Sequence, residues 1–76
     1  MKKINWGIIG LGHIANQFAK AFSIVDNAKI KGIASFDKDK LQSFKKRFNI
    51  NDKLCFDNYK DLILSPGIDI IYIALP

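Results

Sequence analysis

The sequence predicts a parallel α/β fold in which strands alternate with helices along the whole chain. Three observations carry that expectation. Ile4 to Ile9 is an apolar run that ends on a glycine. Two later stretches space apolar residues three and four apart, and each leads into another short apolar run. The last run, "DIIYIAL" from Asp69 to Leu75, is nearly unbroken, as suits a strand covered on both faces.

Each element has its own local reason. The first strand, Ile4–Ile9, stops where Gly10 begins a tight turn. Ile14, Ala15, Phe18, Ala21, Phe22 and Val25 then form one stripe on a helix from about 13 to 25, closed by Asp26-Asn27. Lys29 to Ser35, "KIKGIAS", reads as the second strand. Asp37 is suited to cap the next helix, because its carboxylate accepts from free first-turn N–H groups. Leu41, Phe44 and Phe48 form that helix's apolar side, lysines cover the other, and Asn49 is a left-handed stop. "KLCF", Lys53 to Phe56, is a brief third strand. Asp57 is placed to cap a short helix running through Leu62 to Leu64, which Ser65-Pro66-Gly67 ends. Trp6 and Phe22 read as core, and Cys55 as a buried, inert thiol. Right-handed crossovers then leave a βαβαβαβ sheet of order 3-2-1-4 with helices on both faces and a change of direction between strands 1 and 4.

Composition narrows the function. The chain has 76 residues and a net charge of +5, with seven aspartates and no glutamate. Its lysines are scattered. The one cluster, Lys45-Lys46-Arg47, falls on a helix face, so nucleic acid is not an expected partner. No run approaches the ~20 apolar residues of a membrane span. Cys55 is the only cysteine, which excludes an internal disulfide and a thiolate zinc cage. With no secretory leader recognisable, a reducing, cytoplasmic setting is expected.

The chemistry lies in "GLGHIA", Gly10 to Ala15. A helix N-terminus offers free N–H donors and partial positive charge to a pyrophosphate. Gly10 permits the tight turn. Gly12 lets backbone touch phosphate. Ala15 holds the third position, where a small residue packs helix against strand. The pattern is weak alone, but the strand before it and the βαβ unit around it support a Rossmann-type dinucleotide turn. His13 and Ile14 share that first turn. His13 is placed to donate to a phosphate oxygen, although a backbone cradle needs no side chain there. At the tip of the second strand Ser35 is neutral, Phe36 offers a face to adenine, and Lys38 and Lys40 add positive charge. That set leans towards NADP over NAD, with Asp37 the complication: a slip of one residue would bring its carboxylate to the ribose.

"NWGIIGLGHIA", "IASFDKDKLQSF" and "YKDLILSPGIDIIYIALP" resemble, in order and spacing, the N-terminal half of the glucose–fructose oxidoreductase, inositol dehydrogenase and MocA family. The resemblance covers nearly the whole chain. It implies NAD(P)-dependent hydride transfer on sugars, cyclitols or related alcohols. It matches Gly10, Gly12 and Ala15 to the pyrophosphate turn, and Ala74, Leu75 and Pro76 to the strand end beneath the nicotinamide. Phe36 replaces a usual arginine, and Leu75 a usual small hydroxylated residue. The family's catalytic lysine and its later aspartate/histidine pair match nothing here. Lys53 and Lys60 read as surface lysines, so no general base is expected in this chain. Residues 1–76 are therefore expected to be the first part of a dinucleotide-binding domain, without the rest of that domain or the substrate domain.

Two other classes fit parts of the pattern. One is a non-catalytic module that senses a dinucleotide and regulates a partner. The other is the S-adenosylmethionine site of a methyltransferase, which an acidic residue ending the second strand would have supported and Ser35 does not. A bare final strand also predicts self-association through residues 69–75, because an apolar edge invites pairing. A concentration-independent monomer in sedimentation contradicts that expectation.

Overall fold

The computed structural model describes residues 3–75. Strands β1 (Ile4–Ile9), β2 (Ala28–Ala34), β3 (Cys55–Phe56) and β4 (Ile70–Ile73) form one sheet of order β3-β2-β1-β4. All three pairings are parallel. Helices α1 (His13–Ala21), α2 (Lys38–Phe48) and α3 (Tyr59–Ile63) connect the strands. The expected topology is the observed one.

Strand alternation divides the core. Neighbouring Ile8 and Ile9 point to opposite faces. Ile8 joins Leu11, Ala15, Ala19, Ile33, Leu41, Phe44 and Ile50 beneath α1 and α2. Ile9 joins Ala34 and Leu62 on the α3 side. A register shift refines this pattern. Trp6 faces Ile30, but Gly7 faces Gly32, so Lys31 is the extra residue of a bulge. Ile30 and Ile33 are three apart, and the bulge is why both pack on the α1/α2 side.

The short helix α3 depends on a floor without side chains. Gly7 and Gly32 lie opposite one another on its face. A Cβ at Gly32 would come within 2.8 Å of Leu62 Cδ1, and one at Gly7 within 3.3 Å. Leu62 sinks into that floor and is fully buried.

Several boundaries differ from expectation. Helix α1 stops at Ala21, and Phe22–Ile24 tightens into a 3₁₀ turn. The apolar spacing continues through Val25, so periodicity alone overran the end. Strand β2 runs over 28–34, which places Ser35 one residue beyond it. Asp52–Leu54 is a 3₁₀ turn whose start is held by Asn51 Oδ1, and this shortens β3 to two residues. Asn58, not Asp57, caps α3: its Oδ1 accepts from Asp61 N at 2.9 Å, while its Nδ2 donates to Asp57 and Asp61. Strand β4 is confined to 70–73. Asp37 and Asn49 behave as expected, Asp37 as the α2 cap and Asn49 as a left-handed end at φ 56°.

Trp6 and Phe22 are half-buried rather than core. With Phe18 and Tyr72 they form an aromatic cluster, in which Phe18 stacks on Tyr72 at 4.0 Å and Trp6 meets Phe18 and Phe22 edge-on at 5.6 Å. Cys55 is also only half-buried; its Sγ donates to Asn51 O at 3.4 Å, and burial pushes its pKa up. Lys45 and Asp52 pair at 2.7 Å across an exposed surface. The Lys45 hydrogen bond holds the Asp52 carboxyl below its ordinary range. The small contribution of such a pair is therefore present above that range and lost as acid protonates Asp52. No helix among the described residues is long and apolar enough to cross a membrane.

Candidate functional site

Three backbone bonds lace the carboxyl ends of the strands. Gly10 N donates to Ala34 O at 3.1 Å, Ser35 N to Phe56 O at 3.1 Å, and Ala74 N to Ile9 O at 2.8 Å. This row forms the floor of a cleft of about 640 Å³. In open parallel sheets a ligand crevice lies beyond the carboxyl ends, where the strand order reverses. Here that reversal is between β1's two neighbours, β2 and β4.

Gly10 turns the chain at φ +84°, a conformation that L side chains rarely adopt, and a Cβ there would lie 2.9 Å from Ala74 O. Gly12 is the opposite case. A Cβ at Gly12 would meet nothing within 4 Å, so its missing side chain opens space rather than relieving a clash. The helix ends make the same contrast. Asp37 caps α2 through bonds from Asp39 N and Lys40 N, and Asn58 caps α3. Helix α1 begins at Gly12 with no side-chain cap and no acidic residue in its first turn. Of the three α-helices among the described residues, only this one presents its first-turn donors without a protein carboxylate or amide against them. The residues fit a bound pyrophosphate on that ground.

The cleft gathers most, but not all, of the candidate residues. Gly10, Gly12, His13, Ile14, Ser35, Phe36 and Leu75 line it. Ala15 does not; it is fully buried beneath the turn, as helix–strand packing at the third motif position requires. Lys38 does not line the cleft either. It is the first residue of α2 and exposed, and it is Lys40, two residues on and so on a different side of the helix, that lies in the cleft wall. Pro76 lies outside the described residues. Ser35 is buried, and its Oγ accepts from Asp37 N at 3.1 Å. Two tyrosines that no local motif marks line the cleft as well. Tyr59 lines the cleft from the start of α3, its ring 4.5 Å from that of exposed Phe36. Tyr72 enters from β4. Neither sits in a local motif, and only the topology brings them to Gly10.

This geometry defines a dinucleotide-binding α/β unit of the Rossmann type. The profile of the GFO/IDH/MocA oxidoreductase family, described as an NAD-binding Rossmann fold, matches residues 4–76, and the chain belongs to that family. Over 71 residues it is 33% identical to trans-1,2-dihydrobenzene-1,2-diol dehydrogenase of Xenopus tropicalis, covering 91% of this chain and 21% of the relative. The mouse enzyme of the same name is 29% identical over 73 residues, covering 93% of this chain and 21% of that one. Among solved structures, scyllo-inositol dehydrogenase from Lactobacillus casei, with bound NAD(H) and scyllo-inositol, superposes with a TM-score of 0.85 at 26% identity, over 99% of this chain and 22% of that one. A 3-ketoreductase from Actinomadura kijaniata, in complex with TDP-benzene and NADP, gives 0.85 at 28% identity, over 99% and 23%. The chain thus spans about a fifth of the length of the relatives it matches.

Proposed function

We propose that this chain is the cofactor-binding segment of an NAD(P)-dependent oxidoreductase acting on a sugar, cyclitol or related alcohol. One observation carries the reading: the uncapped N-terminus of α1 opens into a cleft at the sheet's reversal point. Bound nicotinamide supplies the hydride donor or acceptor. The chain's part is to hold the pyrophosphate on the 12–15 turn, the adenosine near Ser35, Phe36 and Tyr59, and the nicotinamide half towards Ala74 and Leu75. Family membership and the named activities of the relatives support the substrate class. A reducing, cytoplasmic setting belongs to the same proposal and suits Cys55, a half-buried thiol of raised pKa.

Within that reading the cofactor is NADP. Ser35 is neutral, and Asp37 Oδ1 is already engaged by two α2 amides. Lys40 supplies a cation in the cleft wall, in place of the arginine that Phe36 displaces. Calorimetric titration with NADPH and with NADH tests this. NADPH is expected to bind several-fold more tightly, and Lys40→Ala to remove most of the difference while leaving NADH unchanged. Tighter NADH binding by the unsubstituted chain contradicts the NADP assignment, and no binding of either contradicts the cofactor reading itself. A longer protein carrying this segment is expected to couple reduction of the cofactor to oxidation of a polyol.

A further inference from the structure

We infer that Asn16 and Arg47 are positioning residues that aim the phosphate-binding peptide of the glycine turn. The inference rests on the dinucleotide reading above and adds two residues to it. Gly12 lacks the side chain that ordinarily ties an N-cap to its helix. Its carbonyl is held from the other side instead. Gly12 O accepts from Asn16 N at 3.1 Å, as in any helix, and also from Asn16 Nδ2 at 2.9 Å. The second bond is the unusual one.

The peptide between Gly12 and His13 is planar and trans, so the His13 N–H points away from the Gly12 C=O. Two donors fixing that carbonyl therefore also fix the His13 N–H, which faces outward from the start of α1. Glycine has the softest backbone of any residue, so the peptide that follows it gains most from such a brace. Asn16 can serve only with its amide nitrogen towards Gly12. Arg47 sets that orientation, because its Nη1 donates to Asn16 Oδ1 at 3.3 Å. An acceptor held by a cation also polarises the amide and strengthens the bond from its nitrogen. Arg47 comes from the last turn of α2, so the brace ties the turn to the neighbouring helix. Neither residue lines the main cleft, and neither needs to touch the ligand.

The test compares ADP-ribose with adenosine as probes on the unsubstituted chain and on Asn16→Ala, Asn16→Asp and Arg47→Ala. Asn16→Ala is expected to weaken ADP-ribose about tenfold and Arg47→Ala about threefold, with adenosine unchanged in both. Asn16→Asp is expected to be the worst, because it sets a carboxylate oxygen against the Gly12 carbonyl. Arg47→Lys, which keeps a donor, should recover part of the Arg47→Ala loss. In carbon-13 NMR the Gly12 carbonyl should move upfield in Asn16→Ala, as a lost hydrogen bond requires, and thermal melts confirm that each variant is folded. Equal ADP-ribose affinity in folded Asn16→Ala, or equal losses for both probes, overturns the brace and leaves the cofactor reading standing. No ADP-ribose binding by the unsubstituted chain overturns both.

Discussion

Gly12→Asp is expected to make the protein more stable and abolish its binding of the cofactor. The two effects have opposite signs because the position has opposite structural and functional demands. The backbone at Gly12, φ −83° and ψ −159°, suits an N-cap residue, and a Cβ there meets nothing. An aspartate would accept from the free first-turn N–H groups and complement the helix dipole, together worth about 0.5–1 kcal/mol. For a domain of this size that raises the Tm by roughly 2–8 °C. The same carboxylate would occupy the pyrophosphate's place with like charge, so affinity for NADPH should fall at least ~100-fold, the scale of several kcal/mol that like-charge juxtaposition costs. A thermal melt and a fluorescence titration on one sample read both. Unchanged binding in the stabilised variant would mean that the open helix end is incidental.

The second large effect is on stability alone. Leu62→Ala should cost about 3 kcal/mol, the usual range for a fully buried leucine whose site cannot collapse. Collapse is hindered because the floor beneath Leu62 is the paired backbone of Gly7 and Gly32. A chain of this length has a total stability of roughly 4–11 kcal/mol, so the loss is a large share of it. Urea denaturation is the measurement. A loss below ~1 kcal/mol would show that α3 packs more loosely than its buried leucine indicates. Because Tyr59 starts the same helix, loosening α3 should also disturb the Phe36 pair at the cleft rim.

The fold was legible where one residue type had one use. Gly10 had to turn with positive φ, and Asn49 followed the last apolar position of its helical stripe. Legibility failed where neighbours competed. Asp57 and Asn58 are both good caps, and only Asn58 reaches the Asp61 amide while bonding back to its carboxylate. The end of α1 was hidden because 3₁₀ and α turns bury much the same spacing over three residues. The Lys31 bulge left no mark in the sequence, since Ile30 and Ile33 look like alternation with one slip. At the site, Gly10–Ile14 could be read because the motif is contiguous. Lys38 and Lys40 lie on different sides of α2, and only the packing of that helix against the sheet decides which of them meets the cleft; Tyr59 and Tyr72 reach the cleft only through the sheet order.

In the proposed function, phosphate is held by the uncapped first turn of α1. A nitrogen-15 correlation titration of the chain with NADPH tests it most directly. The largest shifts are expected at the Gly12, His13 and Ile14 amides, with smaller ones at Ser35, Phe36 and Lys40. A dispersed, folded spectrum in which NADPH moves none of the 12–14 amides would contradict it.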